Sequence, residues 1–256
     1  MIQTMPRQLF SPRWILTTLL VLAAVGVMVR LGLWQLERLE QRRAFNARVQ
    51  AQISAPPLDF NQEVPVSDLP AMEYRQVIVR GTFDPYNEVL LRSQYRDGLP
   101  GYHLLTPLKI EGSETAVLVN RGFISLDEGS PEARAKYEQG GTITVRGVIQ
   151  RSQSDRRFGA PDPTLAPGQT RMDAWNAVRI DRIDAQTPYP LLPVYVALDA
   201  EAAPEGGPTP QTEPPDLSEG SHFGYAIQWF SFAAVLGMGY PFFVRKQLEQ
   251  GDREQS

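Results

Sequence analysis

Hydrophobic positions fall along this chain in three textures, and each texture predicts a different kind of element. Residues 15–29 are apolar apart from Thr17, Thr18 and Gly26, and the run resumes after Arg30 with Leu31, Gly32, Leu33 and Trp34. About 20 such residues at ~1.5 Å each cover the ~30 Å of a hydrocarbon layer, so the run predicts a membrane-spanning helix. A second run, 223–244, has no charge in 22 residues and holds Trp229 and Tyr240. It is too long and too uniform for a core helix. Between the runs, Leu36, Leu39, Phe45, Val49 and Ile53 keep helical spacing and carry the first helix outward to a turn at Ala55, Pro56 and Pro57.

The texture then changes to alternation. Residues 74–81, 88–95, 102–110, 115–125 and 142–150 are alternating or β-branched runs punctuated by glycine and proline, which predict strands at hairpin spacing, and 194–198 reads as a last strand. Residues 127–139 read as a short exposed helix or loop with Ser130 as a candidate N-cap and Pro131 at the first helical position, and 177–184 as another helical turn. Five prolines between Pro204 and Pro215 predict an extended, solvated linker. The fold class expected is an α+β membrane protein in which two transmembrane helices flank one extracytoplasmic antiparallel β-sheet or small β-barrel domain. Its parts are an N-terminal segment 1–13, a span 14–34, a β-rich domain 35–200, a proline-rich linker 201–221, a span 222–244 and a tail 245–256.

Composition changes this picture only when divided by position. Hydrophobic residues are 42% and net charge is -4, the values of an ordinary soluble protein. The two apolar runs nevertheless hold one charge, Arg30, of the 54 in the chain. With no cysteine there is no disulfide, thiolate metal site or cysteine nucleophile, and with two histidines, His103 and His222, no multi-histidine metal centre. The mild negative balance argues against a nucleic-acid partner, which requires a basic face.

Charge also predicts orientation. Glu213, Asp216 and Glu219 precede the second run, whereas Arg245 and Lys246 follow it, which predicts a cytoplasmic C-terminus. Two spans then place the N-terminus on the same side and the middle domain outside. Arg7 and Arg13 ahead of the first run, with Ala24, Val25 and Gly26 inside it, also read as a signal peptide, but the apolar run outlasts that cleavage site. Thirteen residues before the first span are short for a mitochondrial transit peptide, so a bacterial inner membrane is expected.

No catalytic constellation is legible: there is no G-x-S-x-G, no phosphate-cradling glycine loop and no H-E-x-x-H, and no enzymatic activity is expected. What stands out is a set of strings in order. LGLWQLERLEQR lies at the end of the first run, RGTFD at 80–84, GYHLLTPL at 101–108, VLVNRGFIS at 117–125, and HFGYAIQWFSFA at the start of the second run. Together they resemble the SURF1 (Shy1) family of cytochrome c oxidase assembly proteins over residues 14–246. The long proline-rich linker and Arg30 are departures that leave the shared strings intact. The resemblance implies a role in assembling haem-copper oxidase, with cytochrome c oxidase subunit I and haem a synthase as partners alongside the lipid bilayer, and haem a as a transiently bound cargo. It places the family's suspected haem ligand on His222.

His222, Tyr225 and Trp229 are spaced i, i+3 and i+7, and Trp34 ends the first span at the depth where His222 begins the second. A neutral imidazole there can offer a lone pair to haem iron, with aromatic rings over the macrocycle and arginines such as Arg38 for its propionates. The same residues also fit interface anchors, and a haem-independent scaffold for oxidase subunits remains open. His103 reads as a structural histidine in a strand, Arg30 as a snorkelling cation, and Arg121 with Gly122 as a salt-bridged strand arginine beside a bulge glycine.

Overall fold

A computed structural model describes residues 14–153, 171–211 and 214–254. The expected segment 1–13, with Arg7 and Arg13, and the linker residue Glu213 lie outside these. The chain divides into two compact units, Met1–Ala47 with Leu217–Ser256, and Arg48–Asp216.

Two helices make the first unit. Helix α1, Ile15–Ile53, is continuous over 39 residues, and its extension beyond the apolar run is as the spacing predicts. A second long helix covers His222–Glu254. Stretches Ile15–Ile53 and His222–Gln247 are long and apolar enough to cross a membrane. Within residues 15–39 of α1, Thr18, Val25, Gly32 and Leu39 form a seven-residue repeat of buried or half-buried positions, with half-buried Val21, Met28 and Gln35 between them. A repeat of that length is the pattern of a seam between two helices packed side by side. The partner seam runs through His222, Ala226, Phe230, Ala233, Tyr240 and Val244. Small residues bring the backbones close: a Cβ on Gly32 would lie 2.7 Å from the Phe230 ring, and one on Gly237 3.9 Å from Val25. Thr18 Oγ1 and Tyr240 OH share a hydrogen bond of 2.8 Å, and Trp14 meets Phe243 edge to face. Away from the seam, Leu16, Leu20, Val27, Phe223, Val235 and Phe242 are exposed. Such continuous apolar surface is unfavourable in water and favourable in lipid.

The second unit is built on strands β1 Leu58–Asp59, β2 Gln76–Phe83, β3 Val89–Arg96, β4 Leu99–Ile110, β5 Ala116–Ser125, β6 Ile143–Arg151, β7 Ala174–Trp175 and β8 Leu191–Leu198. The runs read from sequence match β2 to β6 and β8 to within three residues. Sheet order is β1-β2-β6-β8-β5-β4-β3-β7, and β2 also pairs with β4. That extra pairing closes β2, β6, β8, β5 and β4 into a ring, so the small barrel is the alternative the chain adopts.

The antiparallel expectation needs correction. Strands that alternate direction cannot close a ring of odd number, so one neighbouring pair must run parallel, and β5 with β8 is that pair. The two-residue strands β1 and β7 also join in parallel, to β2 and β3. Period-2 alternation sends Val77, Val79, Phe83, Val117, Val119, Val145, Val194 and Val196 into the barrel. The opposite faces of β5 and β8, through Leu118 and Tyr195, are covered by Met172, Trp175, Val178 and a short helix α3, Ile180–Asp184. Helix α2, Pro131–Arg134, begins as predicted, with Ser130 Oγ accepting from the Ala133 N–H and Pro131 at its first position.

Part of the linker also departs from the extended, solvated chain expected. Thr209 exchanges two backbone hydrogen bonds with Phe123, of 2.7 and 3.0 Å, and Gln211 Nε2 donates to the Tyr95 carbonyl. The unpaired backbone groups beside a bulge in β5 supply the partners that proline-rich chain lacks internally. We number the helix that follows, His222–Glu254, α4.

Candidate functional site

His222 begins α4 on its seam, half-buried. Three residues of one α1 turn hold the chain that leads into it. Asn46 Nδ2 donates to the Leu217 carbonyl at 2.6 Å, Arg42 Nε to the Ser218 carbonyl at 3.0 Å, and Arg43 forks onto both oxygens of Glu219 at 2.8 and 2.9 Å. These hydrogen bonds raise the Arg43 guanidinium above its ordinary value and lower the Glu219 carboxyl. An exposed pair is worth little by itself, but the bidentate geometry fixes register.

The outcome is one polar contact across the seam: His222 Nδ1 lies 2.8 Å from Gln35 Oε1. Among the described residues Nε2 has no hydrogen-bond partner, and it is not sealed from solvent. One ring nitrogen is thus engaged and the other is available to a ligand.

The other residues picked from sequence make no hydrogen bond or ring contact with His222 among the described residues. Trp34, immediately before Gln35, is 44% exposed, and Tyr225 is 49% exposed beside the seam. Trp229 is half-buried and edge-on to Phe232, with ring centroids 6.2 Å apart. Arg38 donates to Gln41, and Arg30 reaches forward along α1 to Glu37 at 3.4 Å. Gln35 was not singled out from the sequence. Its signal was available in the heptad of α1, where position 35 falls between Gly32 and Leu39 on the buried line.

In the barrel unit, His103 and Arg121 are both buried. Arg121 is 2% exposed, donates to the Tyr137 carbonyl at 2.6 Å and lies over the Phe83 ring. The bulge glycine expected after it is present: register shifts between Leu104 and Leu105, and Gly122 has φ of 120°. Among the described residues the ion pair is not, because a carbonyl and an aromatic ring take the place of a carboxylate. The nearby buried carboxylate, Glu88, pairs instead with Arg134 at 3.2 Å and accepts from Thr106. Burial lifts the Glu88 carboxyl above its usual range, against the pull of Arg134 and Thr106. Arg134, Arg171, Glu88 and Asp173 line a cleft of about 590 Å³ carrying both signs of charge.

The described residues thus hold a small closed barrel, encoded in sequence between two helices apolar enough to cross a membrane, and an imidazole nitrogen without a hydrogen-bond partner at the start of the second helix. The family model for the SURF1 family matches residues 22–234, and the chain belongs to that family. It is 28% identical over 236 residues to a SURF1-like protein of Monosiga brevicollis, covering 88% of this chain and 87% of that one. It is 26% identical over 260 residues to an uncharacterized SURF1-like protein of Mycobacterium tuberculosis, with 98% and 92% covered. Surfeit locus protein 1 of Mus musculus is 24% identical over 232 residues, with 84% and 72% covered.

Proposed function

We propose that the chain is a non-enzymatic assembly factor for cytochrome c oxidase that holds haem a as cargo, receiving it from haem a synthase and passing it to subunit I. The observation that supports this most is the state of His222. A ligating histidine has one ring nitrogen fixed by a hydrogen bond and the other free for metal, and Nδ1 with Gln35 and the open Nε2 fit that pattern. Exposed Tyr225 and Trp34 and the half-buried Trp229 supply aromatic surface for a macrocycle. Membership of the SURF1 family supports the oxidase role.

In this reading the helices span a bacterial inner membrane, both termini are cytoplasmic, and the barrel lies outside. Arg245 and Lys246 just beyond the apolar part of α4, with Asp216 and Glu219 before it, support that orientation. The cargo supplies the iron and the macrocycle. The chain supplies one imidazole donor, aromatic cover and a fixed depth in the bilayer, and a single ligand suits release.

The test is the absorption spectrum of full-length protein purified in detergent after coexpression with haem a biosynthesis. Wild type is expected to carry a haem a spectrum, and His222→Leu to lose it or show it shifted. A wild type without haem, or a mutant with equal haem and the same spectrum, overturns the ligand assignment in favour of a haem-independent scaffold.

A further inference from the structure

A histidine donates a lone pair from one nitrogen only, so a single-imidazole site works only when the tautomer is right. In this chain the choice rests with Gln35. Its Oε1 lies 2.8 Å from His222 Nδ1, and an amide oxygen is solely an acceptor, so that contact requires the proton on Nδ1 and leaves the lone pair on Nε2. Turning the amide over would place its NH2 group on Nδ1 and put the proton on Nε2, where it would block a metal. The two arrangements pack alike and differ only in which nitrogen can act.

We propose that Gln35 is the positioning residue of this site: it selects the Nδ1–H tautomer of His222 and, being a neutral amide, keeps Nε2 a donor of moderate strength. This rests on the reading of His222 as a cargo ligand.

Three features place Gln35 there. It occupies the α1 seam one turn beyond Gly32, whose missing side chain lets Phe230 approach and brings α4 within hydrogen-bond reach. The α1 turn carrying Arg42, Arg43 and Asn46 fixes residues 217–219, which sets where His222 starts. Between Thr18, which bonds Tyr240 at the other end of the seam, and Gln35, the seam positions Val21, Val25, Met28 and Gly32 carry no hydrogen-bonding side chain. An apolar residue at 35 would continue that packing, so the amide is not needed merely to join the helices.

The strength of the ligand follows from the partner's charge. A carboxylate behind a ligating imidazole pushes electron density toward the metal, whereas an amide orients the ring with less push. A donor of that kind holds an iron centre and also gives it up, which matches a carrier.

The experiment uses full-length protein in detergent micelles without haem, then with ferric protohaem as the probe. Nitrogen NMR of labelled imidazole in the wild type is expected to show His222 mainly as the Nδ1–H tautomer, and Gln35→Leu a mixture. Protohaem affinity is expected to fall about tenfold or more in Gln35→Leu and to rise in Gln35→Glu. The opposite signs separate positioning from packing, since a structural role predicts loss in both. Should Gln35→Leu not fold, the tautomer of the wild type and the gain in Gln35→Glu still decide. A wild-type Nε2–H tautomer, or unchanged affinity in both variants, overturns the assignment of Gln35. If the tautomer is as stated but His222→Leu binds protohaem like wild type, the cargo-ligand reading fails and the Gln35 hydrogen bond stands.

Discussion

His103 and His222 are the two imidazoles of the chain, and their surroundings assign them opposite duties. His103 is 8% exposed and both its nitrogens are committed. Asn120 Nδ2 donates to Nδ1 at 3.1 Å, so Nε2 carries the proton and donates to Gln211 Oε1, also at 3.1 Å. Gln211 in turn donates to the Tyr95 carbonyl, and Asn120 Oδ1 accepts from the Gly122 N–H. Burial lowers the His103 pKa from the usual 6.5, with the Gln211 hydrogen bond opposing it. The unfolded chain therefore binds this proton more readily than the folded one, and the stability His103 contributes is full above pH 6.5 and is lost as pH falls through that value toward the lower folded one. Thermal unfolding of the full chain in detergent is expected to show a midpoint that drops as pH is lowered from 8 to 5.5, with part of the slope absent in His103→Gln. An unchanged slope in the variant would remove His103 as its source. The sequence reading of His103 as structural agrees with this site, whereas the residues that occupy its nitrogens come from distant strings and were not legible.

At the scale of elements, the bulge in β5 organises the region around it. Gly122 has φ of 120°, and a Cβ there would collide with the Thr209 carbonyl, so glycine answers both a backbone and a space requirement. The strap 207–211 depends on that gap, because Thr209 pairs with Phe123 just past the glycine. Gly122→Ala is expected to cost about 2–3 kcal/mol and to speed cleavage by an added protease between 204 and 215. Gly140→Ala, whose Cβ would meet nothing within 4 Å, should change stability by less than about 0.5 kcal/mol. Equal protease sensitivity in the two variants would show that the strap does not hang on Gly122. Alternation located the barrel strands because every second residue must face one core, and proline with a polar neighbour located the cap at Ser130. The strap escaped the same reading. Its prolines correctly signal the absence of internal structure, but the partners that dock it belong to another element.

For the whole molecule, closure decides stability. The ring β2-β6-β8-β5-β4 leaves no open edge within it, and β8 is the strand that shuts it, pairing with β5 on one side and β6 on the other. Val196 is paired on both sides, with Val119 and Ile149, so Val196→Pro is expected to abolish the cooperative unfolding transition of the barrel in the full chain. Leu58→Pro, in the two-residue strand outside the ring, should cost about 1 kcal/mol or less. Comparable losses from both would mean that the ring is not the cooperative unit. Strand positions were open to sequence reading, but the parity that forces one parallel pair belongs to no local stretch and appears only once the ring is closed. The same holds for the helices: the apolar length of each was evident, while the seven-residue seam that sets Gln35 opposite His222 emerges only from two helices together.

The position of β8 also sets a timetable. A ribosome that has produced residues up to 190 has released four of the five ring strands, with β5 and β6 each missing a neighbour. Strand β8 is completed at Leu198, and only 23 residues separate it from His222. At ordinary elongation rates that interval is about 1–5 s, comparable to the folding times of barrels rich in distant pairings. Completion of the barrel and arrival of the second apolar helix therefore fall within the same few seconds of synthesis.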